Sequence, residues 1–181
     1  MRTTLIITVT CPDRPGIVEK VAAAVDSHGG NWEESRMARL GGDFAGIVKV
    51  TVPAERAAEL RAALANLADE TMSVTVKVAE PVAATETAAA QACSLKLAGA
   101  DHEGIVHRVA AYLAAKGINV GEMETALARA PVSAAPLFRM NALIELPADM
   151  SIEQLQAELE TLGHQLGVDI ELQPASRSGS A

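Results

Sequence analysis

Aromatic side chains are nearly missing from this chain: one Trp, one Tyr and two Phe, 2% of 181 residues. Any core must therefore be built from Val, Leu, Ile and Ala, within the 49% of residues that are apolar. Cysteine is scarce as well. Cys11 and Cys93 cannot form a disulfide framework and make no CxxC pair, so both read as reduced thiols. Basic charge is in deficit, 15 Lys and Arg against 23 Asp and Glu, for a net −8. That excludes broad binding to nucleic acid or anionic lipid, where a basic surface supplies most of the affinity. No apolar run approaches the ~18 residues that span a bilayer. The start, Met1 to Ile7, lacks a signal peptide's longer apolar region and cleavage site. It reads as a strand of the mature protein, and the expected location is cytoplasmic.

What the chain does have is an internal repeat, the feature to seek first. Asp13-Arg14-Pro15-Gly16-Ile17-Val18-Glu19-Lys20-Val21-Ala22-Ala23 returns as Asp101-His102-Glu103-Gly104-Ile105-Val106-His107-Arg108-Val109-Ala110-Ala111, at an offset of 88. Gly29 meets Gly117, Asn31 meets Asn119 and Glu34 meets Glu122 at the same offset. The offset then grows to 94, where Phe44 meets Phe138 and Pro53 meets Pro147. The added residues fall around Ala130 to Pro136, a longer loop, where insertions disturb no ladder. The organisation expected is a first domain over 1–80, a linker over 81–91, a second domain over 92–173 and a tail over 174–181.

Within the first copy, β-branched Thr4 to Thr10 predicts a strand. Pro15 suits the first turn of a helix, whose Val18, Val21, Ala22 and Val25 recur at helical spacing. His28-Gly29-Gly30 stops it. Asn31 to Leu40 and Asp43 to Val52 read as strands joined at Gly41-Gly42, a tight hairpin. Leu60, Leu64 and Leu67 mark a second helix, and Ser73 to Ala79 a last strand. The second copy repeats the order over Leu95–Gly99, Ile105–Lys116, Asn119–Arg129, Leu137–Leu146, Ile152–Gln165 and Val168–Leu172. The fold class is α+β: two tandem ferredoxin-like βαββαβ domains, each an antiparallel sheet with both helices on one face.

That topology carries many functions, so the sites must decide. An RNA-recognition module needs exposed aromatics on its central strands, and the first strand of either copy has none. A metal carrier needs paired thiolates near the first turn, where Cys11 stands alone and the second copy has Gly99. An acylphosphatase-like enzyme needs a phosphate-cradling loop, which neither Arg14 nor His102 sits in. His102 and His107 resemble a zinc protease pair. They are one residue too far apart, about 140° around a helix of 3.6 residues per turn. No catalytic residues, metal or cofactor are expected.

A helix start offers unpaired N–H groups and partial positive charge, and an amino acid's carboxylate can dock there. Gly16 and Gly104 lack a Cβ, so either they let a ligand approach the backbone or they permit tight helix–sheet packing. Asp13 and Asp101 pair with a ligand's ammonium, or Asp13 caps the helix, or both. Asn31 and Asn119 offer donor and acceptor, or are turn residues. Ile17 and Val18 read as core or as pocket wall, with core favoured. Cys11 is a small buried residue or a ligand contact, and Trp32 covers a sheet edge or meets a partner.

The turn Cys11-Pro12-Asp13-Arg14-Pro15-Gly16-Ile17-Val18 resembles that of ACT domains, and so do Leu5 to Val78 and Leu95 to Leu172 as wholes. Asn31-Trp32-Glu33-Glu34-Ser35-Arg36-Met37-Ala38 with Phe44-Ala45-Gly46 resembles the glycine cleavage system transcriptional repressor family. The second copy departs, with His102 and Glu103 for Arg14 and Pro15, which leaves open whether it works. The resemblance implies a free amino acid ligand, glycine or serine, held between units, with the strand-two Asn facing a neighbouring unit's turn. It implies a regulatory protein partner. The candidate ligand-binding set is Cys11, Asp13, Arg14, Pro15, Gly16, Ile17, Val18 and Asn31, then Asp101, His102, Gly104, Ile105, Val106 and Asn119. No direct contact with nucleic acid or membrane is expected. Edge strands invite sheet extension, so a homodimer is expected. The rival reading is a dimerisation scaffold with vestigial ligand sites.

Overall fold

Alternate residues of the first strand point to opposite faces, and only one face is dry. Leu5, Ile7, Val9 and Cys11 are buried while Thr8, Thr10 and Pro12 are exposed. The same alternation buries Val48, Val50 and Val52. Ile17, Val21 and Val25 from the first helix and Leu60 and Leu64 from the second close over these side chains as one core. The computed structural model describes residues 1–79, 91–129 and 135–175. The chain divides into two units, Met1–Ala83 and Ala84–Ala181.

Unit 1 runs β1 (Arg2–Pro12), α1 (Ile17–Ser27), β2 (Asn31–Leu40), β3 (Asp43–Pro53), a short 3-10 turn (Ala54–Arg56), α2 (Ala57–Ala65) and β4 (Ser73–Val78). Its sheet order is β2-β3-β1-β4, antiparallel throughout. Unit 2 repeats this as β5 (Gln91–Ala100), α3 (Ile105–Ala115), β6 (Asn119–Arg129), β7 (Pro136–Leu146), α4 (Ile152–Leu166) and β8 (Val168–Pro174), in the order β6-β7-β5-β8. The predicted βαββαβ repeat is the observed one. Gln91 opens β5 and Pro174 closes β8; the rest of the linker, the loop 130–134 and the tail from 176 lie outside the described residues.

Local chemistry explains the boundaries. Gly41 and Gly42 both take positive φ, +63° and +95°, as a two-residue hairpin with the favoured twist demands. Both first helices end in a Schellman cap. Gly29 N–H donates to Asp26 and Gly30 to Val25; Gly117 donates to Ala114 and Ile118 to Leu113. A register shift interrupts β2 between Trp32 and Glu34 and β6 between Val120 and Glu122, so the bulge is duplicated too. Trp32 packs part-buried against the unit 1 core.

The repeat is not perfect in its second helix. α4 has 15 residues against nine in α2, and its start is capped by Ser151, which accepts from the Gln154 N–H at 3.3 Å. Gln156 on α4 reaches the outer edge of β8. Its amide donates to the Ile170 carbonyl at 3.1 Å, and its oxygen accepts from the Leu172 N–H at 2.7 Å. One carboxamide thus occupies backbone groups that a further strand would pair with.

Candidate functional site: the first strand–helix turn

In unit 1 the chain leaves β1 at Pro12 and must reverse onto the helical face. The Asp13 N–H donates to the Gly42 carbonyl at 2.9 Å, which pins the turn to the β2–β3 hairpin. The Asp13 carboxylate accepts from Arg39 at 3.2 Å. Arg14 reaches the other way and donates to Asp69 at 3.3 Å. Asp69 itself folds the loop before β4: its other oxygen accepts from the Thr71 hydroxyl and N–H, both at 2.7 Å, and from the Met72 N–H at 2.8 Å. Those bonds, the Thr71 hydroxyl first and Arg14 among them, hold its carboxyl well below the usual carboxylate range.

Gly16 is the residue before the helix. Its φ is +93° and no side chain caps α1. A Cβ added there would meet nothing within 4 Å, so glycine is required by backbone conformation and not by packing. The Gly16 carbonyl accepts from the Lys20 N–H at 3.0 Å. Among the described residues no side chain caps the amides of the first turn ahead of Lys20, at the positive end of the helix.

Unit 2 has the same frame with a different brace. Asp101 N–H donates to the Pro136 carbonyl at 3.3 Å, and Gly104, φ +88°, opens α3 without a cap. His102 replaces Arg14. Its Nδ1 lies 2.9 Å from the Glu103 carbonyl and its Nε2 2.7 Å from the Leu166 carbonyl. These two acceptors, Glu103 first, raise its pKa above the ordinary histidine value. In both units, then, residue two of the turn braces it, in unit 1 against the loop after α2 and in unit 2 against the last residue of α4.

The ACT domain family matches residues 3–79 and again 95–173. The chain belongs to the ACT domain family. Among solved structures, an unknown protein from Galdieria sulphuraria aligns over 97% of this chain and 100% of its own at TM-score 0.84 and 32% identity. A protein provisionally assigned as a glycine cleavage system transcriptional repressor aligns over 98% and 99% at TM-score 0.69. At 20% identity that second likeness is one of fold. A UPF0237 protein of Methanopyrus kandleri is 36% identical over 76 residues, 41% of this chain and 78% of its own length. The ACT fold is regulatory.

Against this frame several expectations change. Pro15 is not in the first helical turn: a left-handed Gly16 cannot belong to a right-handed helix, so α1 begins at Ile17 and Pro15 stands in the turn before it. Asp13 does not cap α1; its carboxylate is taken by Arg39. Ile17 and Ile105 are core residues, but Val18 is 43% exposed, because the buried stripe is Ile17, Val21, Val25. Val106 is half-buried. Cys11 is buried, as is Cys93, and burial pushes both thiols up.

Asn31 and Asn119, expected to face a neighbouring unit's turn, lie away from the turn of their own unit. Asn31 pairs with Thr51 at one end of the sheet, whereas Leu40 and Asp43 lie beside Pro12 at the other. Ten residues of strand separate the ends, roughly 30 Å at 3.3 Å per residue. Asn119 instead donates to Glu145 at 3.0 Å.

A cleft of about 470 Å³ opens beside the unit 1 turn, lined by Thr10, Cys11 and Pro12, by Phe44, and by the loop from Asp69 to Ser73. Of the predicted residues it includes Cys11 alone. Asp43, Asp69 and Glu70 line it as well, so its field favours an ammonium over a carboxylate. In unit 2 the place of Cys11 belongs to Gly99, which pairs with Val168. A Cβ on Gly99 would lie 2.5 Å from the Val168 Cγ1, so Val168 packs where a side chain on β5 would stand. Among the described residues no group of three His, Cys, Asp or Glu is placed to hold a metal ion. No described helix is long and apolar enough to cross a membrane.

Proposed function

We propose that this protein senses a free amino acid, glycine or serine by its likeness to the repressor family, and passes the signal to a regulatory protein partner. The observation that carries the reading is the start of α1: a left-handed glycine, no capping side chain, and backbone N–H groups at the positive end of a helix. The ligand carboxylate takes those amides. The cleft beside the turn carries Asp43, Asp69 and Glu70, and in this reading they attract its ammonium. Ligand binding adds to the cohesion of the turn, and the altered turn is what a partner reads. We further propose a homodimer in the reducing cytoplasm, in keeping with two buried free thiols.

Isothermal calorimetry against a panel of amino acids tests this. Saturable heat with glycine or serine, abolished in Gly16→Val protein that keeps its circular dichroism, supports sensing. Flat traces across the panel sink it. A second reading has its own support. Asp13 and Arg14 are both engaged in internal ion pairs, as they would be in a scaffold whose turns serve only assembly. There Gly16→Val leaves partner binding intact.

A further inference from the structure

We propose that the β5–α3 turn of unit 2 is a proton-operated clasp, in which the His102 imidazolium ties the turn to the C-terminal end of α4 and loss of one proton undoes one tie. The argument is one of donor count. Both ring nitrogens lie within hydrogen-bond distance of a carbonyl oxygen, Glu103 at 2.9 Å and Leu166 at 2.7 Å. A carbonyl can only accept, and a neutral imidazole has a single N–H. Only the doubly protonated ring serves both partners; the neutral ring sets a nitrogen lone pair against an oxygen lone pair.

The partner in α4 suits a cation. Leu166 is the last residue of that helix, where carbonyls lack intrahelical donors and the helix dipole is negative. The charges that act on the ring are Asp101 on its own turn and Arg108 on α3; the elements packed there also carry Glu103 on the turn, His164 in the last turn of α4 and Asp169 near the start of β8. Asp101 favours the imidazolium and Arg108 opposes it, while the two carbonyls outweigh the small desolvation cost. Arg108 is itself held to Gln165 at 3.2 Å, a second link between α3 and the end of α4.

Unit 1 shows the contrast. There the brace is a guanidinium on a carboxylate, Arg14 to Asp69, and arginine does not deprotonate in proteins. One brace is therefore insensitive to pH around neutrality and the other loosens as pH rises through the raised histidine value. The neutral ring keeps one N–H; in the clasp it stays with the adjacent Glu103 carbonyl, and the part released is the junction of Leu166, Gly167 and Val168, which seats Val168 against Gly99.

The test is nuclear magnetic resonance on the full chain between pH 5.5 and 8.5, without ligand. It follows the His102 ring and the exchange protection factors of the Gly167 and Val168 amides. The clasp requires the ring to titrate above 6.5, the histidine reference value, and protection at the junction to fall several-fold in the same pH range. His102→Arg, which carries a permanent cation with several donors, should keep protection high and flat across that range. His102→Leu should lower it at both ends. A ring that titrates at or below 6.5, or a junction equally protected at pH 5.5 and 8.5, overturns the proposal. So does a His102→Arg protein that keeps the wild-type pH dependence, since another group would then be the switch. The clasp stands or falls apart from amino acid binding.

Discussion

At the scale of single residues, the two glycine classes separate cleanly. Gly16 has open space around it and a positive φ, so Gly16→Ala carries only backbone strain, about 1–2 kcal/mol. Gly99 lies outside the left-handed region, but a Cβ there would stand 2.5 Å from the Val168 Cγ1, so Gly99→Ala forces Val168 to move and costs about 1–3 kcal/mol. Urea unfolding of each variant checks the pair; a neutral Gly99→Ala would refute the packing argument. Asp69 supplies a pH test. Its carboxyl is depressed by bonds from Thr71 and Met72, so its contribution is present above the unfolded carboxylate range and is lost as pH falls through the folded value. The stability gap between wild type and Asp69→Ala should stay constant from pH 5 to 8 and narrow below pH 4. These partners were not legible in the sequence. Arg14 and Asp69 stand 55 positions apart, and nothing in either segment names the other. Asp13 looked like a cap because acidic residues before helices often cap; only the fold shows Arg39 within reach.

At the scale of elements, hydrophobic period and glycine placement were enough to order the described strands and α-helices, because the helices and central strands bury one face and the hairpin and first-helix turns use left-handed glycines. What failed were positions where two rules compete. Val18 fits a helical apolar stripe, yet Ile17 at the helix start sets the stripe at 17, 21 and 25 instead. Asn31 lies at the opposite end of the sheet from the turn of its own unit, as a residue meant for a neighbouring unit's turn is free to do. The helix starts yield a prediction. α4 has a side-chain cap and α1 has none. Ser151→Ala should cost about 1 kcal/mol, seen as a lower denaturation midpoint, whereas Pro15→Ala should leave the α1 boundary unchanged by chemical shift.

At the scale of the whole molecule, the two cores are distinct clusters with no residue in common. Leu60 and Leu159 are both 0% exposed. Truncating either to alanine should cost about 2–5 kcal/mol. In the double variant the costs should add within about 0.5 kcal/mol. Guanidinium unfolding monitored by residue-resolved exchange measures both; strong coupling would show that the cores are not separate. Duplication was legible because the turn residues recur at a constant offset. Part of the asymmetry between copies was legible too, in His102 and Glu103, the added loop and the helix over 152–165; the reach of Gln156 to β8 was not, since it depends on how α4 packs on the sheet.

Gln156 has a consequence for how the protein survives at high concentration. A bare strand is a template on which like chains can crystallise into an endless ribbon. On β8 a single amide side chain already fills part of that template, so growth of a filament by docking there must first dislodge it. A glutamine spent in this way makes one margin of unit 2 a terminus by construction, and any runaway polymer has to nucleate elsewhere.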